Sequence, residues 1–124
     1  MLYGNTYNTA SETILTTDGT NSIPVPGNTT IYYTADIVGR GKDSATQTIN
    51  YRTAIQIKGV VDNQNGTTTD VGNLYELIIA RDVVGFSVDA RANNAADTIN
   101  IFATANTGYN VNWVALVTTV EVPY

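Results

Sequence analysis

Apolar and polar residues alternate with a period of two along most of the chain. In "INYRTAIQIKGVVD", Ile49, Tyr51, Thr53, Ile55, Ile57 and Val61 share one side, and Asn50, Arg52, Gln56, Lys58 and Asp62 share the other. This spacing predicts a half-buried strand. "TIYYTADIVG" sets Ile31, Tyr33, Ala35 and Ile37 against Tyr32, Thr34, Asp36 and Val38. "GFSVDARA" sets Phe86, Val88 and Ala90 against Ser87, Asp89 and Arg91, and "TINIFATA" sets Ile99, Ile101 and Ala103 against Asn100, Phe102 and Thr104. The closing run, "NVNWVALVTTVEV", breaks the pattern by being apolar on both sides. Val111, Trp113, Ala115 and Val117 lie on one, and Val114, Leu116, Val120 and Val122 on the other. A surface strand of a small sandwich needs one apolar face, so the second calls for a cover.

Turn chemistry separates these runs. Asn65-Gly66 suits the positive φ of a tight hairpin, and Thr107-Gly108 closes the last one. "PVPGN" is a turn or an edge, because Pro cannot donate to a central ladder. "GRGKDS" and "ANNAAD" read as loops. "NLYELIIARDVV" has Leu74, Leu77, Ile78 and Arg81 at helical spacing, but its β-branched and aromatic content favours a strand around Leu74 to Ala80. The sum is an all-β chain of about seven to eight antiparallel strands, a β-sandwich with jelly-roll-like winding. Residues 1–21 hold few apolar anchors. They read as an extended N-terminal arm with a short strand at Glu12 to Thr17, ahead of a sandwich domain over 22–124.

The 124 residues suit one domain with one real core. Charged residues make up 14%, against about 25% in ordinary domains, so uncharged Thr and Asn must wet the surface. The net charge of −5 argues against nucleic acid as a partner. No run has the length of a membrane-spanning helix. The N-terminus has neither a basic nor an apolar leader region, so synthesis in the cytoplasm is expected. With no Cys there is no disulfide and no thiolate metal site.

The chemistry available is sparse. His is absent, and with it the commonest general base, so Ser11, Ser22, Ser44 and Ser87 have no triad partner. Asp36, Asp62, Glu76 and Asp89 sit on strands and could pair for glycoside chemistry only if two converge within roughly 5–10 Å. "DNQNGTTTD" lacks the spacing of a calcium loop, leaving Asp62 and Asp70 as a weak cation candidate. "GRGK" is not a phosphate loop. It reads as a flexible turn, or more sharply as a basic contact for an acidic patch on a partner or on the next subunit. No catalytic, cofactor or metal residue is assigned. The aromatic set is richer than a small core requires, and Tyr3, Tyr7, Tyr109 and Tyr124 fall in the arm, a loop and the C-terminus, where Tyr suits protein contact or sugar stacking.

"IPVPGNTTIYYTADIVGRGKD", followed by "YRTAIQIKGVVDNQNGTTTDVG" and closed by "VNWVALVTTVEV", resembles a structural module of tailed-phage and prophage virion proteins. There it ends tail-fibre or head-fibre-like chains. The likeness spans about Ile23 to Val122. The resemblance implies an all-β fold, a place in the virion and a homotrimer, and it carries over no catalytic residue. With only a short arm ahead of the module, the expectation is a capsid decoration or cement protein bound to the major capsid protein. Leu2, Tyr3 and Tyr7 are then the candidates for shell contact, and Trp113, Leu116 and Val120 for core packing or trimer contact. The alternative is a receptor-binding module of a fibre or spike, reading a cell-surface glycan with Asn63, Asn65, Asn93, Asn94 and Tyr109.

Overall fold

The computed structural model describes residues 1–123 and contains no helix among them. The fold is an all-β sandwich of two antiparallel sheets. Its nine strands are β1 (Leu2–Tyr7), β2 (Thr13–Leu15), β3 (Ile23–Pro24), β4 (Thr29–Asp43), β5 (Asn50–Gln64), β6 (Thr67–Arg81), β7 (Ser87–Asn93), β8 (Thr98–Thr104) and β9 (Tyr109–Pro123). The long sheet has the order β1-β9-β4-β5-β6. Three consecutive strands, β4 to β6, are joined by turns, and β9 returns to lie beside β4, which is a Greek key. In the short sheet β8 is central. β7 pairs along one side of it, and β2 and β3 pair end to end along the other.

The alternating residues form the core. Ile31, Tyr33, Ala35 and Ile37 of β4, Ile55, Ile57 and Val61 of β5, and Val111, Trp113 and Ala115 of β9 all point inward and are buried. Ile99, Ile101 and Ala103 of β8 meet them from the short sheet, with Phe86, Val88 and Ala90. An aromatic chain ties the core together: Tyr51 and Tyr109 meet edge-on at 4.9 Å, Tyr109 and Phe86 at 5.3 Å, and Phe86 and Trp113 at 6.1 Å. The two sheets differ in length. β4, β5, β6 and β9 are 15 residues each, whereas β7 and β8 are 7. The short sheet therefore covers the long one only in part. The second half of β9, from Thr118, and most of β6 stay exposed on both faces.

The N-terminal segment is not an arm. β1 completes the edge of the long sheet beside β9, and Leu2 and Leu15 are buried. The Trp113 indole donates to the Thr6 hydroxyl at 3.0 Å, and Arg91 of β7 holds Glu12 at 2.5 Å. Sparse anchors suffice because the free ladder of β9 satisfies the segment's backbone groups. "GRGK" is not a turn either, since it lies within β4. Gly39 is glycine because the Trp113 ring packs on its backbone, and a Cβ there would stand 2.7 Å from that ring. The β4–β5 loop starts only at Ser44. Asp43 holds it, its carboxylate accepting from the backbone N–H groups of Thr46, Thr48 and Ile49.

Candidate interaction face

The register of the long sheet fixes what its outer face presents. Side chains opposite one another across β1, β9, β4, β5 and β6 form rows. One row is Tyr3, Val114, Val38, Ala54 and Ala80. Another is Val120, Tyr32, Val60 and Val71. Between them lie Leu116 and Leu77, separated by Asp36 and Gln56. Val38, Leu116 and Val120 are 55%, 51% and 60% exposed, so this apolar surface is open. Exposed apolar surface that is contiguous across strands marks interaction sites on soluble proteins.

Some polar groups on this face pair with one another. Gln56 Nε2 donates to Asp36 Oδ1 at 2.8 Å, and Thr30 Oγ1 donates to Asp62 Oδ1 at 2.7 Å. Lys58 lies over the Tyr75 ring at 6.0 Å from its centroid. Charge is segregated as well. Four of the chain's six cations, Arg40, Lys42, Arg52 and Lys58, stand on this face with three of its eleven acids, Asp36, Asp62 and Asp82, the last paired with Arg52 at its edge. With Asp82 counted the face carries a net charge of +1 on a chain of −5.

The residues singled out in the sequence divide three ways. Tyr3, Tyr7, Leu116 and Val120 are exposed on the outer face. Leu2 and Trp113 are buried in the core, so Leu2 is unavailable for shell contact. Leu2 points inward because β1 pairs with β9 in the register that sets it opposite Ala115.

The five candidate glycan residues do not form one site. Asn63 is buried, its Nδ2 donating to the Val25 carbonyl at 3.1 Å. Asn65 has φ of 54° in the β5–β6 turn, where its N–H donates to Asn28 Oδ1. Asn93 accepts from the N–H groups of Ala95 and Ala96, and Asn94 from that of Thr68. These four cluster near one end of the molecule. Tyr109 belongs to the opposite end, beside Asp43 and in the aromatic chain of the core. The two ends lie about 45 Å apart along β4. Tyr124 lies outside the described residues.

The carboxylates stay separate too. Asp36 and Asp62 share the outer face, but Asp62 pairs with Thr30, six residues along β4 from Asp36, which is about 20 Å. Glu76 projects on the opposite side of the sheet, opposite Ile57, and Asp89 pairs with Arg91 at 3.2 Å in the short sheet. Asp62 and Asp70 cannot share a cation. Asp70 faces inward opposite Val61, where it accepts from Ala92 N–H, while Asp62 faces outward. Among the described residues, no group of three or more His, Cys, Asp or Glu could hold a metal ion.

The sequence marks Arg40 and Lys42 as a basic contact but not the groove they line. At the Tyr109 end, Tyr7, Arg40, Gly41, Lys42, Gln47, Asn50, Asn110 and Asn112 line a groove of about 550 Å³. Arg40 and Lys42 stand two apart on the polar side of β4, and only the register brings Asn50, Asn110 and Asn112 beside them. In comparison with known proteins, no protein-family model matches the chain, and no curated protein matches it.

Proposed function

We propose that this protein is a structural assembly subunit, and specifically a head decoration or cement protein of a phage virion that acts as a homotrimer. The carrying observation is the open outer face of the long sheet, where apolar side chains run across hydrogen-bonded strands with nothing over them. In this reading Leu116, Val120, Val122 and Tyr32 meet another copy, and the Tyr3 and Tyr7 side of the face meets the major capsid protein. The work done is mechanical. Apolar area removed from water contributes about 25 cal/mol per Å², enough to hold neighbouring subunits together without any reaction. A heterologous contact repeated around a threefold axis closes into a ring and leaves no unsatisfied copy.

Sedimentation over a range of concentrations tests the reading. The parent chain should sediment as a trimer, and L116D/V120D should sediment as a folded monomer. Single chains at every concentration would overturn it. Addition to undecorated heads followed by cryo-electron microscopy should place density on the shell, and density confined to tails would reject the head assignment.

A further inference from the structure

The groove at the Tyr109 end belongs to a patch of three rows. The first is Tyr7, Asn110, Lys42 and Asn50, the second Asn5, Asn112, Arg40 and Arg52, and the third Tyr3, Val114, Val38 and Ala54. Each row crosses β1, β9, β4 and β5, so the patch is about 14 Å wide. Arg40 and Arg52 are directly opposite one another, an arrangement of like charges that costs stability in a sheet. The ion pairs among the described residues are Arg52 with Asp82, Arg91 with Glu12 and Arg91 with Asp89, so Arg40 and Lys42 hold no acid there. The fold thus keeps two unpaired cations and a third close by, next to amide side chains and an apolar row.

We propose that this patch is the docking site for an extended, acidic and partly apolar peptide segment of a partner protein. Arg40 and Lys42 are two residues apart on one face, about 6.8 Å, which is the spacing of carboxylates at alternate positions of an extended chain. The Arg40 guanidinium offers a planar fork that suits a carboxylate. Asn50, Asn110 and Asn112 supply donors and acceptors for a peptide backbone. The row of Tyr3, Val114 and Val38 is what selects peptide over the other polyanions. Sulfated sugars and nucleic acids carry no aliphatic side chains to cover it, and a sugar with one carboxylate leaves a cation unmatched. The proposal deepens the docking reading above by stating the chemistry of the partner that meets the Tyr3 and Tyr7 side.

The test is a peptide array probed with the 124-residue chain. Each peptide carries two Glu separated by zero, one or two residues, followed by alternating Leu, with Gln-for-Glu controls. Capture should peak at the alternate spacing, fall with added salt and vanish in the Gln series. R40Q/K42Q should weaken it about tenfold or more, whereas K58Q, on the same face but outside the patch, should leave it unchanged. Equal capture by R40Q/K42Q overturns the proposal, as does capture independent of Glu spacing. Tighter retention of a sialylated or sulfated oligosaccharide than of any peptide overturns it in favour of a glycan. Sedimentation of the parent alongside the peptide array separates the two readings. A monomeric parent that still selects the alternate-Glu peptide sinks the trimer and leaves this site standing, and a trimer that selects no peptide does the reverse.

Discussion

The two faces of β9 are built from similar residues and meet different fates. Val111, Trp113 and Ala115 are buried against the short sheet, while Leu116, Val120 and Val122 on the other side stand in water. Side-chain chemistry does not separate them. What separates them is that this chain supplies one covering layer, and that layer lies on one side. The contrast repeats across the sheet: Ile37 is buried and Val38 exposed, although the two are neighbours of nearly equal hydrophobicity. Apolar residues on the closed face hold this fold, and those on the open face are available to hold something else.

The contrast should show first in stability. Trp113→Ala removes a fully buried ring and should cost about 3–5 kcal/mol in urea unfolding, whereas Leu116→Ala should stay within about 0.5 kcal/mol for the monomer. Equal losses at both positions would mean that the open face is not open. Gly39→Ala should cost roughly 1–3 kcal/mol, because its Cβ meets the Trp113 ring at 2.7 Å and the Thr53 methyl at 2.9 Å. Gly66→Ala in the β5–β6 turn has open space, so it tests backbone strain alone, at φ of 81°.

Thr6→Val isolates the polar tie between the N-terminal strand and the core. It leaves the Trp113 N–H without its acceptor at a buried position and should cost about 1–3 kcal/mol. A smaller loss would make the first strand a loose addition.

The smallest effect is with pH. Burial, and next the negative charges of Asp70 and Asp89, push the Tyr33 hydroxyl up to about 12 from its ordinary 10. Its folded pKa is the higher one, so its stabilising contribution is complete below pH 10 and is lost as pH rises towards 12. Denaturation midpoints should fall across that window in the parent and fall less in Tyr33→Phe. Asp43 has the opposite sign. Hydrogen bonds from Thr46, first its side chain and then its backbone, with those from Ile49 and Thr48, hold its carboxyl below the usual range. That contribution is present above the ordinary carboxylate pKa and fades in acid, loosening the β4–β5 loop.

Much of the closed face was legible. The alternation in β4, β5, β7 and β8 names the inward residues, with the exception of Ile49, which lies just ahead of β5 and is exposed, because one buried face imposes period two wherever it occurs. The N-terminal segment was illegible for the same reason. Leu2, Thr6 and Leu15 are too far apart to make a period, and they became anchors only when β9 offered a free ladder. Gly39 and Gly41 read as a loop because glycine usually marks one, and the structure shows them making room for Trp113 and Val111 in mid-strand. Asn63, Asn65, Asn93, Asn94 and Tyr109 read as ligand loops because turn chemistry surrounds each of them. The Asn residues hold loops near one end while Tyr109 packs at the other.

The sequence by itself determined that this chain is all β, where most of its strands run and which side of each faces in. It did so because strand periodicity and turn chemistry are local. Tertiary structure alone decided which of the two apolar faces of β9 is covered, and which cations and amides stand side by side. Those depend on pairings between distant segments, such as β9 beside β4 and Trp113 against Thr6, 107 residues apart. Local patterns cannot carry that register, because it is set by long-range packing and hydrogen bonding that form together.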